Sequence, residues 1–205
     1  MDELGLFPLG MVLLPTEQVP LHIFEPRYRE LIDECVEQEI PFGLVYADDD
    51  GMRAIGTLAT VTEVTERFPD GRLTIVVEGG ERVRVVELTE GRSFHTAEVE
   101  PLEDLDDPPD DEDADRALEL FSRLVELTGA EVEAPGADTP QLSFAVAGRF
   151  DFSPELKQEL LEATSERLRL RRLAELLSAA AETVERQREI AARAQTNGKV
   201  QPPRA

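Results

Sequence analysis

"FPLGMVLLPTEQVPLHIFEPRYRELI", Phe7 to Ile32, contains the change of period that decides the fold. Apolar residues run from Leu4 to Leu14 with Pro8 and Gly10 among them, which predicts two short strands or one bent strand. Pro20 to Phe24 predicts a further short strand. From Pro26 onward Tyr28, Leu31, Ile32, Cys35 and Val36 recur at spacings of three and four. That is one face of a helix, with Pro26 suited to its first turn. Pro41 ends it, so the chain passes from strand to helix and back within forty residues.

Working outward, Phe42 to Ala47 predicts a buried strand and Asp48-Asp49-Asp50-Gly51 a turn. Ala54 to Arg67 is rich in Thr and Val, and Pro69-Asp70-Gly71 supplies a hairpin turn. Arg72 to Glu78 alternates, with Leu73, Ile75 and Val77 on one face; Gly79-Gly80 then interrupts it as a bulge or tight turn. Glu81 to Leu88 and Ser93 to Glu100 complete a meander, and so many short strands predict a nearly closed barrel. Residues 104–115 hold eight carboxylates and no basic residue. Charges so dense repel within a Debye length of about 8 Å, which predicts an exposed linker.

Beyond it the period is helical: Ala114 to Leu127, then Gln141 to Phe150, then a helix opened by Ser153-Pro154 with an N-cap serine. A last helix starts near Ser165 with the stripe Leu170, Leu173, Leu177, Ala180, Val184, Gln187, Ala191, Ala194. Leu gives way to Ala and Gln along it, so residues 185–196 are expected to be frayed or to depend on a partner. The reading is therefore α+β: a barrel subdomain over 1–103, a linker over 104–115, a helical subdomain over 116–196 and a disordered tail over 197–205.

Net charge is −23, unevenly spread: residues 1–152 carry 36 acidic and 11 basic side chains, a balance of −25. Nucleic-acid affinity rests on neutralising phosphates with Lys and Arg, so nucleic acid and anionic membrane surfaces are poor partner candidates for that part, and neither is expected as a partner. No stretch approaches the roughly 20 apolar residues of a membrane span. The acidic start has no basic n-region, and the lone Cys35 cannot pair internally, so a cytoplasmic setting is expected.

The opening segment closely resembles the start of the Lon protease substrate-binding domain. In that family an apolar strand and a Pro precede a P-L-x-I-F-E-P-R-Y segment, matched here by Pro20, Leu21, Ile23, Phe24, Glu25, Pro26, Arg27 and Tyr28. "FGLVYADDDGMRAIGTLATVTEV" is similar to the family's strand, turn and I-G-T-x-A-x-V strand. "GRLTIVVEGGERVRVVEL" is similar to its V-x-G-x-x-R meander, and "LSFAVAGRFDFSPELKQELLEATSERLRLRRLAELL" to its helical lobe. The resemblance implies a PUA-like β pseudo-barrel followed by an α-helical bundle with a long C-terminal helix. It further implies a non-catalytic module, with no cofactor, that contacts unfolded or degron-bearing polypeptides and acts with or against a separate Lon-type protease. The ATPase and serine–lysine peptidase of full-length members are not expected in these residues. Gly5 and Gly10 have the glycine spacing of a P-loop, but Met11-Val12 stand where Lys and Ser or Thr are required.

For a peptide site the candidates are Leu14, Pro15, Val19, Pro20, Leu21 and Phe24, too many apolar side chains for one strand face to bury. Burying about 400 Å² of apolar surface there supplies roughly 10 kcal/mol, of which association removes several; micromolar affinity is the upper expectation. Arg167, Arg169, Arg171 and Arg172 form a basic run that either docks an acidic partner or pairs with the acidic part of the chain. His22 and His95 lack a second ligand at metal spacing, and Cys35 on the apolar helix face is a core residue, so no metal is expected. An RNA-binding PUA-like protein and an assembly module acting through the C-terminal helix are the competing readings. A monomer or a weak dimer through that helix is compatible with the sequence.

Overall fold

Strand and helix periods in the first half alternate as the sequence predicts, and a computed structural model describes residues 3–197. They form β1 (Leu4–Leu9), β2 (Gln18–Ile23), α1 (Pro26–Gln38), β3 (Phe42–Asp48), β4 (Gly51–Arg67), β5 (Leu73–Thr89) and β6 (His95–Pro101). The sheet order is β2-β5-β4-β3-β1-β6, and a further β5–β6 pairing closes it into a barrel. One strand can serve both functions because β5 is 17 residues long. It pairs with β2 over Leu73–Glu78, with β4 from Leu73 to Arg84, and with β6 from Val83 to Thr89.

β1 and β3 are parallel, from Leu6 opposite Gly43 to Leu9 opposite Tyr46. Parallel neighbours need a crossover, and α1 lies within it. The helix presents Tyr28, Leu31, Ile32 and Cys35 to the barrel core beside Phe7, Phe42, Leu44 and Ile75. Gly5 is where α1 comes closest: a β-carbon there would lie 2.4 Å from Leu31 Cδ1.

The second lobe comprises α2 (Asp111–Thr128), α3 (Leu142–Ala147), α4 (Pro154–Glu162) and α5 (Glu166–Asn197). Leu170, Leu173, Leu177 and Ala181 of α5 pack on Leu120, Phe121 and Leu124 of α2 and on Phe144 of α3. Val12, Leu14, Tyr46 and Ile55 from the barrel side belong to this same core, so the lobes share buried apolar surface. No helix among the described residues is long and apolar enough to cross a membrane.

One expectation needs correction, that of a free linker, and one is narrowed, at Gly79-Gly80. Of the two readings of Gly79-Gly80, a bulge or a tight turn, the structure has the bulge: β5 runs through it, and the pairing with β4 shifts register between Thr57 and Ala59. The extra residue is absorbed as a bulge, which sharpens the twist without ending the ladder. Residues 104–115 are not a free linker, since α2 already begins at Asp111 and Asp110 caps it by accepting from the Asp113 backbone N–H at 2.9 Å. Helix α5 runs through 185–196, with Arg186 to Ala191 exposed. Residues 198–205 of the expected tail lie outside the described residues, while Asn197 closes α5.

Candidate functional site

The geometry is set by β5, whose neighbouring side chains face opposite ways. Arg82 points into the helical lobe. It donates to the carbonyls of Leu161 at 2.8 Å and Ala163 at 2.7 Å, and its other nitrogen pairs with Asp104. Asp104 also receives Arg169 of α5, at 2.7 Å and 2.5 Å. Arg169 is 0 % exposed and satisfies its remaining donors on Glu166 at 2.6 Å, the Ala163 carbonyl at 2.7 Å and Ser143 at 3.0 Å. Both guanidinium groups lie over the Phe144 ring, at 5.4 Å and 4.3 Å from its centre. Burial pushes the Asp104 carboxyl up, but the hydrogen bonds and charges of Arg169 and Arg82 outweigh it and hold the group below its ordinary value.

A second polar bridge joins the lobes at the Leu14–Glu17 turn. Glu17 accepts from Lys157 of α4 at 2.5 Å and from the Leu14 N–H at 2.9 Å, with both charged side chains nearly buried. The turn lies on Gly79: Thr16 N–H donates to the Gly79 carbonyl at 2.7 Å and Gly79 N–H to the Glu17 carbonyl at 2.9 Å. A β-carbon at Gly79 would stand 2.1 Å from the Leu14 carbonyl oxygen, so the contact requires glycine. Gly79 and Arg82 are two of the positions on which the V-x-G-x-x-R resemblance rested, and both fix the lobes to each other.

These contacts correct the candidate sites. Leu14 is 0 % exposed in the shared core, Leu21 is 8 % exposed in the barrel core, and Pro15 is buried. Val19 is half-buried, Pro20 is exposed, and Phe24 is 61 % exposed, near His22 on the outer face of β2. The six do not converge on one cleft, and Pro15 alone among them lines a groove between the lobes. The excess of apolar residues is absorbed by two cores rather than one, with Leu14 serving the helices and Leu21 the barrel.

The basic run is likewise occupied: Arg167 pairs with Asp107, Arg169 with Asp104 and Glu166, Arg171 with Asp113, and Arg172 with Glu159 and Glu175. It is no free docking surface for an acidic partner; its acidic partner is mostly the 104–113 segment of the same chain. Glu25 and Arg27 form an ion pair at 2.9 Å, and Arg27 covers the Tyr28 ring at 4.5 Å.

The apolar surface that sequence reasoning missed is a cleft of about 450 Å³ at the barrel mouth, between the end of α1 and strands β1, β4, β5 and β6. Leu31, Val83 and Phe94 line it from the core, together with Cys35. Burial, with some help from Glu34, pushes the Cys35 thiol up to about 11, so it sits there as a neutral apolar group. Ile40, Leu58 and Val99 line it while remaining partly exposed. Glu3, Glu34, Glu81 and Arg92 stand around it. Arg92 is paired with Glu34, and hydrogen bonds from Thr89 and Thr96 hold the Glu3 carboxyl below its ordinary value. The available signal was local: Ile40 falls just past the left-handed C-cap Glu39, an apolar residue that the helix cannot bury.

The fold is thus a closed barrel braced by a helical lobe, with an apolar cleft at its mouth. The sequence profile of the ATP-dependent protease La (LON) substrate-binding domain matches residues 3–179, and the chain belongs to that family. A Lon N-terminal domain protein from Xanthomonas campestris, solved by crystallography, superposes with a TM-score of 0.67 at 27 % identity over 84 % of this chain and 97 % of that one. The N-terminal domain of a Mycobacterium avium complex Lon protease has the same fold, with a TM-score of 0.67 at 19 % identity over 86 % and 98 % of the two chains. The Lon protease of Paraburkholderia phytofirmans is 29 % identical over 97 % of this chain. The chain spans only 27 % of the length of that protease.

Proposed function

We propose that the chain binds exposed apolar segments of unfolded or degron-bearing polypeptides in the barrel-mouth cleft, as an adaptor or regulator of a separate Lon-type protease. The observation that carries this reading is the cleft itself. Ile40, Leu58 and Val99 offer apolar surface to solvent beside a buried apolar lining, without being needed to complete the core. Membership of a substrate-binding domain family supports a polypeptide as the ligand. Burial of a few apolar side chains in a preformed cleft, less the cost of ordering the segment, gives affinities near micromolar. Three carboxylates and a paired arginine at the rim make the same cleft repellent to phosphate chains, which supports protein over RNA.

Fluorescence anisotropy with a labelled, permanently unfolded polypeptide tests the reading. Leu58→Gln and Ile40→Asp should each weaken binding about fivefold or more while the melting curve holds. Phe24→Ser, an exposed position outside the cleft lining, should leave it unchanged. Equal affinity for all four proteins would remove the cleft from the account.

A further inference from the structure

The cleft does not end at the barrel mouth. Glu81 and Pro101 line both the cleft and a second groove of about 470 Å³, which runs between the lobes past Gly79-Gly80, Thr16 and Gln141. Thr16 in turn lines a third groove of about 560 Å³ beside Phe144 and Arg149. Three neighbouring compartments therefore share lining residues in series, a layout that suits an extended chain. Gly80 leaves the middle compartment open, since a β-carbon there would meet only Leu58 at 3.4 Å or more. Thr16 and Gln141 hold left-handed backbone, with φ of 65° and 50°, and both face this groove. Of the two only Thr16 is β-branched, and left-handed backbone is uncommon for such residues.

At the junction stands Glu81, exposed, with no hydrogen-bond or ion-pair partner among the described residues, unlike Glu34 and Asp104 on either side of it. Glu103, also exposed, lines the same middle groove. The nearby cations are already committed: Arg92 to Glu34 and Arg82 to Asp104. An extended polypeptide leaving the apolar cleft thus meets uncompensated negative charge at its first step. Resting on the binding reading above, we propose that cleft and groove form one track for an extended polypeptide, and that Glu81 selects apolar segments flanked by Lys or Arg.

The experiment uses the full chain and three labelled peptides with one apolar core, flanked at either end by Arg-Arg, Gln-Gln or Glu-Glu. The wild type should prefer the Arg-flanked peptide over the Gln-flanked one by about two- to fivefold, the range of an exposed ion pair. That preference should fade in high salt. Glu81→Gln should remove the preference while keeping the Gln-flanked affinity within about twofold, and Glu81→Arg should reverse it toward the Glu-flanked peptide. Glu63→Gln, an exposed carboxylate lining none of the grooves, should preserve it. Leu58→Gln should weaken all three peptides alike. A wild-type preference that survives Glu81→Arg, or that falls as much with Glu63→Gln, overturns the role of Glu81 and leaves apolar binding standing. Failure of every peptide to bind the wild type overturns both.

Discussion

Asp104 stands between two buried guanidinium groups, and its removal would leave Arg82 and Arg169 undercompensated inside the protein. Breaking such a pair from one side costs roughly 3–5 kcal/mol at full burial. With Asp104 itself one-fifth exposed, Asp104→Asn should destabilise toward the lower end, about 3 kcal/mol, in urea unfolding. The exposed Arg67–Asp33 pair is the internal control, and losing it should cost no more than about 1 kcal/mol. The sign with pH follows from the lowered carboxyl: the unfolded chain takes up the proton first. The contribution is complete above the unfolded value near 4 and is lost as pH falls through the lower folded value. Asp104→Asn should therefore flatten the acid limb of stability against pH, and identical acid limbs would contradict the assignment. Gly79→Ala should cost about 1–3 kcal/mol in the same measurement, because the clash is with backbone. Gly10→Ala, where a β-carbon meets nothing within 4 Å, should be nearly neutral. Arg169 was legible in principle. It sits one helical repeat before Leu173 and Leu177 on the apolar stripe, so helix geometry alone places it inward. Its partner Asp104 lies 65 residues away, a pairing that no local pattern records.

Helix α5 shows where elements were readable. The change from Leu to Ala and Gln correctly located the end of packing: Leu170, Leu173, Leu177 and Ala181 are buried, whereas Ile190 is 60 % exposed. Leu177→Ala should cost roughly 2–5 kcal/mol, while Ile190→Glu should leave the melting temperature essentially unchanged. A comparable loss from Ile190→Glu would mean that the exposed end is packed in solution. The acidic stretch at 104–115 was misread because self-repulsion was weighed without the counter-charges. Asp104, Asp107 and Asp113 each face an arginine of α5, and Ser165 adds a hydrogen bond to Asp107 at 2.6 Å. Dense like charge predicts an extended segment only where no opposite charge is folded against it.

At the scale of the molecule, the two lobes that the sequence suggests are one packed body. Leu14, Tyr46 and Ile55 share a core with the helices, and Arg82, Glu17 and Gln158 carry polar links across the boundary. Calorimetric unfolding should give a single transition with equal calorimetric and van't Hoff enthalpies; two separable transitions would show that the lobes are independent. The family was written in the Phe7–Ile32 segment, but the cleft was not, since it is assembled from α1, β1, β4, β5 and β6, and its lining residues look like ordinary strand positions one at a time. The most direct test of the recognition role is amide hydrogen exchange of the chain with and without a saturating apolar peptide. Added protection should appear at residues 35–41, 81–85 and 94–101, around the cleft. Protection confined to 18–24, or to the exposed end of α5, would contradict the account.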